Sequence, residues 1–259
     1  MKALFFDIDG TIWDRHNNIP ESARKAIAQA RKNGHKAFIC SGRTRGYIQN
    51  EDLLGIGFDG IVSGCGTMIE MNGETVFSAD IPADLAISTV ETVRRYGFRP
   101  ILEGREYLYM EESEFGHDPY GQKLFRELKD RRKPIDSLWG QWSMSKLSCA
   151  TDGCETQECF KILSRHYDMI VHNSAVVEMV PHGYNKGTGL RHACDLLGID
   201  VKDSVAFGDS VNDLDMFRAA GFAVAMGNGS DEAKDASDYV SSSLHEDGIS
   251  KALTYLNII

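Results

Sequence analysis

Short apolar runs recur along the first third of the chain, each closed by a polar motif, with helix-period stretches between them. Residues 3–6, Ala-Leu-Phe-Phe, are continuously apolar, the pattern of a strand buried on both faces. They lead into Asp7-Ile8-Asp9-Gly10-Thr11. Pro20-Glu21-Ser22 then opens a helix whose Ala23, Ala26, Ile27 and Ala30 form a small apolar face and which Gly34 ends. A second strand is expected over 35–40, followed at once by Ser41-Gly42-Arg43 and a helix containing Tyr47 and Ile48. A third strand is expected over 58–62. This β-α-β-α-β series implies parallel strands joined by right-handed crossovers.

The pattern then changes. Apolar positions on both sides of Asn72-Gly73 are a hairpin signal. Residues 83–96 read as a helix ended by Gly97, and 99–102 and 107–110 as an antiparallel pair around Gly104. Residues 111–145 are charged and show no clear period, with Trp139 and Trp142 as core or cleft residues. A strand is expected over 146–150, a helix over 155–167, and a strand pair over 169–172 and 176–180. From Lys186 the alternation returns: helix 187–197, strand 204–207 ending in Gly208-Asp209, helix 214–220, strands 222–225 and 238–240, helix 247–256. Neither flank makes a full sheet alone. The expectation is an α/β fold, a Rossmann-like parallel-sheet core built from 1–81 and 184–259, interrupted by an α+β domain over 82–183.

Composition narrows the class. The 259 residues are 42% hydrophobic and 25% charged, as in soluble globular chains. The net charge of -10, with no Lys/Arg cluster, argues against nucleic acid as a partner. Six cysteines in a chain of this length are no disulfide framework, and the five-residue spacing of Cys149, Cys154 and Cys159 fits no common zinc pattern. No apolar stretch is long enough to span a bilayer and the N-terminus has no signal-peptide pattern. A reducing cytoplasm is the expected compartment, with no membrane partner.

Four polar motifs fall at the carboxyl ends of expected strands: Asp7 to Thr11, Ser41-Gly42-Arg43, Asn185-Lys186-Gly187, and Gly208 to Asp213. Open α/β sheets bind ligands along that edge. Asp7 and Asp9 are two apart in an extended segment, so they point the same way, and two like charges that close call for a cation, a proton or both. Each piece also has a plainer reading. Asp-Gly favours turns, Asp209 and Asp213 suit a helix start, and Ser41 suits a turn. Lys186 at a helix start opposes the macrodipole, which favours an anion-binding role for it. Arg43 fits a substrate contact and a structural ion pair equally. His172, His182 and Cys65 read as structural. Together the groups can hold Mg²⁺ through oxygen, neutralise a phosphate, and offer a carboxylate nucleophile and a carboxyl acid.

On these residues the chain resembles the haloacid dehalogenase superfamily of phosphotransferases, in its Cof-like branch with the large type IIB cap. The tail is similar too: Ala223 to Asn228, Lys234, Ala236, Asp238-Tyr239-Val240 and Glu246 to Ile249. The resemblance covers the core and is weak over 82–183. It implies Asp7 as nucleophile and Mg²⁺ ligand, and Asp9 as general acid and base whose backbone carbonyl also ligates. It implies Asp209 as a ligand and Asp213 as anchor of the metal site, through water or Lys186. Ser41, Gly42, Arg43, Lys186 and Asn212 are implied around the phosphate. Two departures stand out: Cys65 where the family often has Asn, and Asn185 where serine is commoner.

The expected function is a Mg²⁺-dependent phosphatase acting on a small phosphorylated metabolite through an aspartyl-phosphate. A sugar phosphate is preferred over a nucleotide, flavin mononucleotide or pyridoxal phosphate. A phosphomutase of the same chemistry is the alternative, and a non-catalytic receiver-like module is disfavoured by Asp9, Lys186 and the large insert. The chain is expected as a monomer or homodimer.

Overall fold

A computed structural model describes residues 1–116, 118–173 and 175–259. The chain first lays down strands β1 (Ala3–Phe6), β2 (Lys36–Cys40), β3 (Gly60–Ser63), β4 (Met68–Met71) and β5 (Glu74–Ser78). It continues through β6 (Arg99–Glu103), β7 (Leu108–Tyr109), β8 (Arg132–Lys133), β9 (Lys146–Ala150), β10 (Tyr167–Asn173) and β11 (Val176–Pro181). It closes with β12 (Ser204–Gly208), β13 (Phe222–Ala225) and β14 (Tyr239–Val240). Two compact units result: Met1–Gly42, Gln49–Phe77 and Asn185–Ile259 form one, and Arg43–Ile48 with Ser78–Tyr184 the other.

In the first unit eight strands run in the order β14-β13-β12-β1-β2-β3-β4-β5. β1 pairs in parallel with both β2 and β12, so the carboxyl ends of all three share one edge. The four residues of β1 are buried, and Phe5 meets Phe38 while Phe6 stacks on Phe207. Burying one such side chain contributes about 1.5–3 kcal/mol, which explains why the apolar runs of β1, β2 and β12 set the middle of the sheet. Helix Glu21–Lys32 buries the small face Ala23, Ala26, Ile27 and Ala30.

The segment after Gly42 departs from expectation. No helix contains Tyr47 and Ile48; residues 45–47 make a turn, and a short helix follows at Glu51–Leu54, capped by the Asn50 side chain. The reason is competition for the backbone. Gly46 donates its N–H to the Gly104 carbonyl, Thr44 donates its hydroxyl to Glu103, and Tyr47 donates to Glu127. Those partners lie in the second unit's own chain segment, which is why 43–48 groups with it.

The second unit is a six-stranded sheet in the order β10-β11-β9-β6-β7-β8, antiparallel except for the β7–β8 pair. One face carries Leu102, Leu147, Cys149, Val177 and Met179 into a core with Val90 and Val93 of helix Ala83–Arg95. Where the sequence showed no period, helix Pro119–Leu128 packs Leu124 and Leu128 with Ile101, Leu108 and Met110. Trp142 is buried with its N–H on the Ile135 carbonyl, whereas Trp139 is exposed and edge-on to it. Among the described residues no helix is long and apolar enough to cross a membrane.

Candidate active site

At the edge formed by the ends of β1, β2 and β12, Asp7, Lys186, Asp209 and Asp213 come together. Asp7 directly follows β1 and is buried. Its amide continues the sheet by donating to the Phe207 carbonyl at 2.9 Å. The chain then turns sharply: the Ile8 carbonyl accepts from the amides of Thr11, Ile12 and Trp13. Gly10 sits at φ +79°, and a side chain there would run into the Asp209 carboxylate. Glycine thus serves both backbone conformation and close approach. Asp9 is exposed at this turn, and its Oδ1 accepts the Trp13 indole N–H at 3.0 Å.

Lys186 begins the helix Lys186–Leu197, whose start is held by a reciprocal cap. Asn185 Oδ1 accepts from the Thr188 amide, and Asn185 N donates to Thr188 Oγ1. Asparagine here does the capping work that serine would do. The Lys186 ammonium is buried and donates to Asp7 Oδ1 at 2.7 Å, Asp213 Oδ1 at 2.7 Å and Asn212 Oδ1 at 3.0 Å. Asp213 is fully buried, and its Oδ2 accepts the amides of Asp209 and Ser210 at 2.9 and 3.1 Å. Thr11 donates its hydroxyl to Asp209 Oδ1 at 3.3 Å.

The carboxylate oxygens of Asp7, Asp209 and Asp213 lie within 4.8 Å of one another. Burial pushes the Asp7 carboxyl well above the usual range; Lys186 opposes this, and the charges of Asp213 and Asp9 add to it. Asp209 is raised to about 7 by burial and by the Asp213 charge. For Lys186, burial works against the ammonium, but Asp213 and Asp7 outweigh it and the pKa goes up. The cluster thus has one cation for three acids, and a second cation would relieve it. Hard carboxylate oxygens are the donor set that suits Mg²⁺.

Ser41 is buried at the end of β2, its amide on the Val62 carbonyl and its carbonyl on the Cys65 amide. Gly42 ends this stretch of the unit, and Arg43 groups instead with the second unit, its guanidinium 4.3 Å over the Tyr47 ring. Cys65 stands at φ +57°, a left-handed conformation that Asn or Gly adopts more readily, at a cost of about 1–2 kcal/mol for other residues. Its amide donates to the Ser41 carbonyl at 3.1 Å. His172 and His182 both lie in the second unit, on Glu178 and Asp168.

Three further residues of the site were given no role from the sequence: Thr11 and Asn228, which lie inside the Asp7 to Thr11 and Ala223 to Asn228 motifs, and Trp13, which does not. Trp13 holds Asp9, Thr11 holds Asp209, and Asn228 donates its amide to the Gly10 carbonyl while its Oδ1 accepts the Leu244 amide. An indole four residues after an acid is too common a spacing to have singled out Trp13.

Residues 4–253 match the family model described as haloacid dehalogenase-like hydrolase. YkrA of Bacillus subtilis is 30% identical over 260 residues, covering 100% of this chain and 98% of that protein. The phosphoglycolate phosphatase of Methanothermobacter thermautotrophicus is 26% identical over 255 residues, covering 98% of this chain and 97% of that protein. Among solved structures, the subclass IIB sugar phosphatase BT4131 superposes with a TM-score of 0.82 at 25% identity, covering 100% of both chains.

Proposed function

Because the chain belongs to the haloacid dehalogenase-like hydrolases, we propose that it is a Mg²⁺-dependent phosphatase of a small phosphorylated metabolite, a sugar phosphate by preference, working through an aspartyl-phosphate on Asp7. The observation that carries this reading is the buried Asp7 held at 2.7 Å by Lys186 beside two further carboxylates at the strand ends.

Asp7 and Asp209 would hold Mg²⁺, with the Asp9 carbonyl as a further donor. Asp213, whose oxygens serve Lys186 and two amides, fixes both Lys186 and the Asp209 loop and closes the acidic cluster. When bound, the ion supplies positive charge that neutralises the phosphate and keeps the nearby carboxylates ionised. Lys186, Ser41 and the Gly42 amide hold the phosphoryl oxygens, with Asn212 orienting the lysine. Asp7 attacks phosphorus as the bond to the leaving oxygen breaks, and Asp9 gives that oxygen its proton. Water then attacks the aspartyl-phosphate, Asp9 takes the water's proton, and phosphate departs from Asp7. Asp9 suits the acid and base part because it is exposed at the turn, where its Oδ1 accepts the Trp13 indole N–H.

The test compares leaving groups. Asp9→Ala should lower kcat on a sugar phosphate about tenfold to a thousandfold more than on para-nitrophenyl phosphate, whose leaving group needs little protonation. Equal losses on both would remove the acid role. Products resolved by chromatography with a hexose 1-phosphate separate hydrolysis from transfer to a second hydroxyl.

A further inference from the structure

The turn after β1 offers two side-chain donors to two different acids. The Ile8 carbonyl accepts the amides of Thr11, Ile12 and Trp13, and Gly10 N donates to the Trp13 carbonyl at 2.9 Å. The chain therefore winds by about one helical turn, which brings side chains four residues apart onto one another. Thr11 faces Asp209, and Trp13 faces Asp9, whose Oδ1 accepts the indole N–H at 3.0 Å. Trp13 is only 4% exposed, whereas Asp9 is exposed. A buried donor, anchored by its ring, thus reaches a carboxyl that lies at the surface.

A buried indole usually finds an acceptor, and a backbone carbonyl is enough: Trp142 donates to that of Ile135 at 3.1 Å. Two features set Trp13 apart. Its acceptor is a carboxyl, and a hydrogen bond to an ionised acceptor is stronger than a neutral one. The indole N–H is also a donor only. The contact therefore keeps its sense whether Asp9 is the acid or the carboxylate, where a hydroxyl in the same place could reverse its role as the proton leaves. We infer that Trp13 is a positioning residue for Asp9, whose indole N–H fixes the direction of the Asp9 carboxyl for both proton transfers. This rests on the phosphatase reading, in which Asp9 is the general acid and base.

The consequence is specific to one step. An aspartate side chain at a surface turn has several staggered rotamers open to it. Misplacing a reacting group by about 1 Å can cost about a hundredfold in rate. Trp13 acts through Asp9, so its N–H matters most where the leaving oxygen is basic and needs the proton, and little where it does not. A role in packing alone would instead lower stability and slow every ester alike.

The experiment uses the full chain with Mg²⁺ and aryl phosphates from para-nitrophenyl to phenyl phosphate, which differ in leaving-group basicity and little in shape. Trp13→Phe keeps an apolar ring. 3-Benzothienylalanine introduced at position 13 keeps the fused ring and lacks only the N–H, so it preserves the packing should Trp13→Phe disturb it. Either change should lower kcat on phenyl phosphate about threefold to thirtyfold more than on para-nitrophenyl phosphate, with KM altered less than about twofold. In the Asp9→Ala background the same changes should add no further dependence on the leaving group, since they act through one side chain. An unchanged ratio of the two kcat values in the benzothienylalanine protein, or an undiminished effect without Asp9, overturns the inference and leaves the phosphatase reading standing. Equal losses on both esters for Asp9→Ala alone remove its acid role and the inference with it. No turnover of any ester by the wild type overturns the phosphatase reading and the inference together.

Discussion

Replacing Lys186 by Met removes the cation on which the acidic cluster is built. Lys186 Nζ lies 2.7 Å from both Asp7 Oδ1 and Asp213 Oδ1. At an effective dielectric constant of about 20, each contact carries a gross attraction of about 6 kcal/mol. Desolvation and carboxylate repulsion cancel most of this, and removing one partner of a buried pair costs about 3–5 kcal/mol net. For a chain of this size the loss corresponds to a Tm lower by roughly 6–20 °C. The pH dependence carries a definite sign. Burial and the neighbouring acids already hold Asp7 above the ordinary carboxyl range, and Lys186 opposes them. Its loss raises Asp7 further. A raised folded-state carboxyl means that the folded protein binds more protons than the unfolded chain, so stability falls as pH rises through that range. The deficit of Lys186→Met in EDTA should therefore be larger at pH 8 than at pH 5, and Mg²⁺ should recover part of it. Thermal unfolding at both pH values, with and without Mg²⁺, reads this directly. A deficit under about 1 kcal/mol at pH 8, or one independent of pH, would refute the electrostatic reasoning.

Two further outcomes follow from the same geometry. With Asp209 raised to about 7 in the metal-free protein, protons and Mg²⁺ compete for one carboxylate. The apparent Mg²⁺ affinity by calorimetry should weaken by up to about tenfold per pH unit below 7; a flat profile from pH 5 to 8 would contradict the ligand role of Asp209. Gly10→Ala should push the Asp209 carboxylate aside and strain the turn, weakening Mg²⁺ binding while the rest of the unit stays folded; unchanged affinity in this variant would show that the turn yields.

The sheet of the first unit was legible because β1, β2 and β12 are mostly apolar runs with polar motifs at their ends. Asp7 and Asp209 come together because the parallel pairing of β1 and β12 aligns those ends, and Lys186 reaches Asp7 and Asp213 from the start of its helix. What stayed hidden depends on partners distant in sequence. The turn after Gly42 takes its shape from Glu103, Gly104 and Glu127, so local periodicity misread it as helix. Cys65 gives no hint of its left-handed backbone, because cysteine is not a residue that marks one. Glu103, Lys146 and Glu178 each read as an ordinary polar position in a strand, and only the register makes them neighbours.

The central claim is that phosphate passes through Asp7 in two displacements at phosphorus. Hydrolysis of a chiral, oxygen-isotope-labelled phosphate ester in labelled water measures this directly. Each in-line displacement inverts the phosphorus, so the aspartyl-phosphate route predicts net retention of configuration, with Asp7→Asn giving no turnover. Net inversion by the wild-type protein would mean that water attacks the substrate in one step and would contradict the covalent role of Asp7.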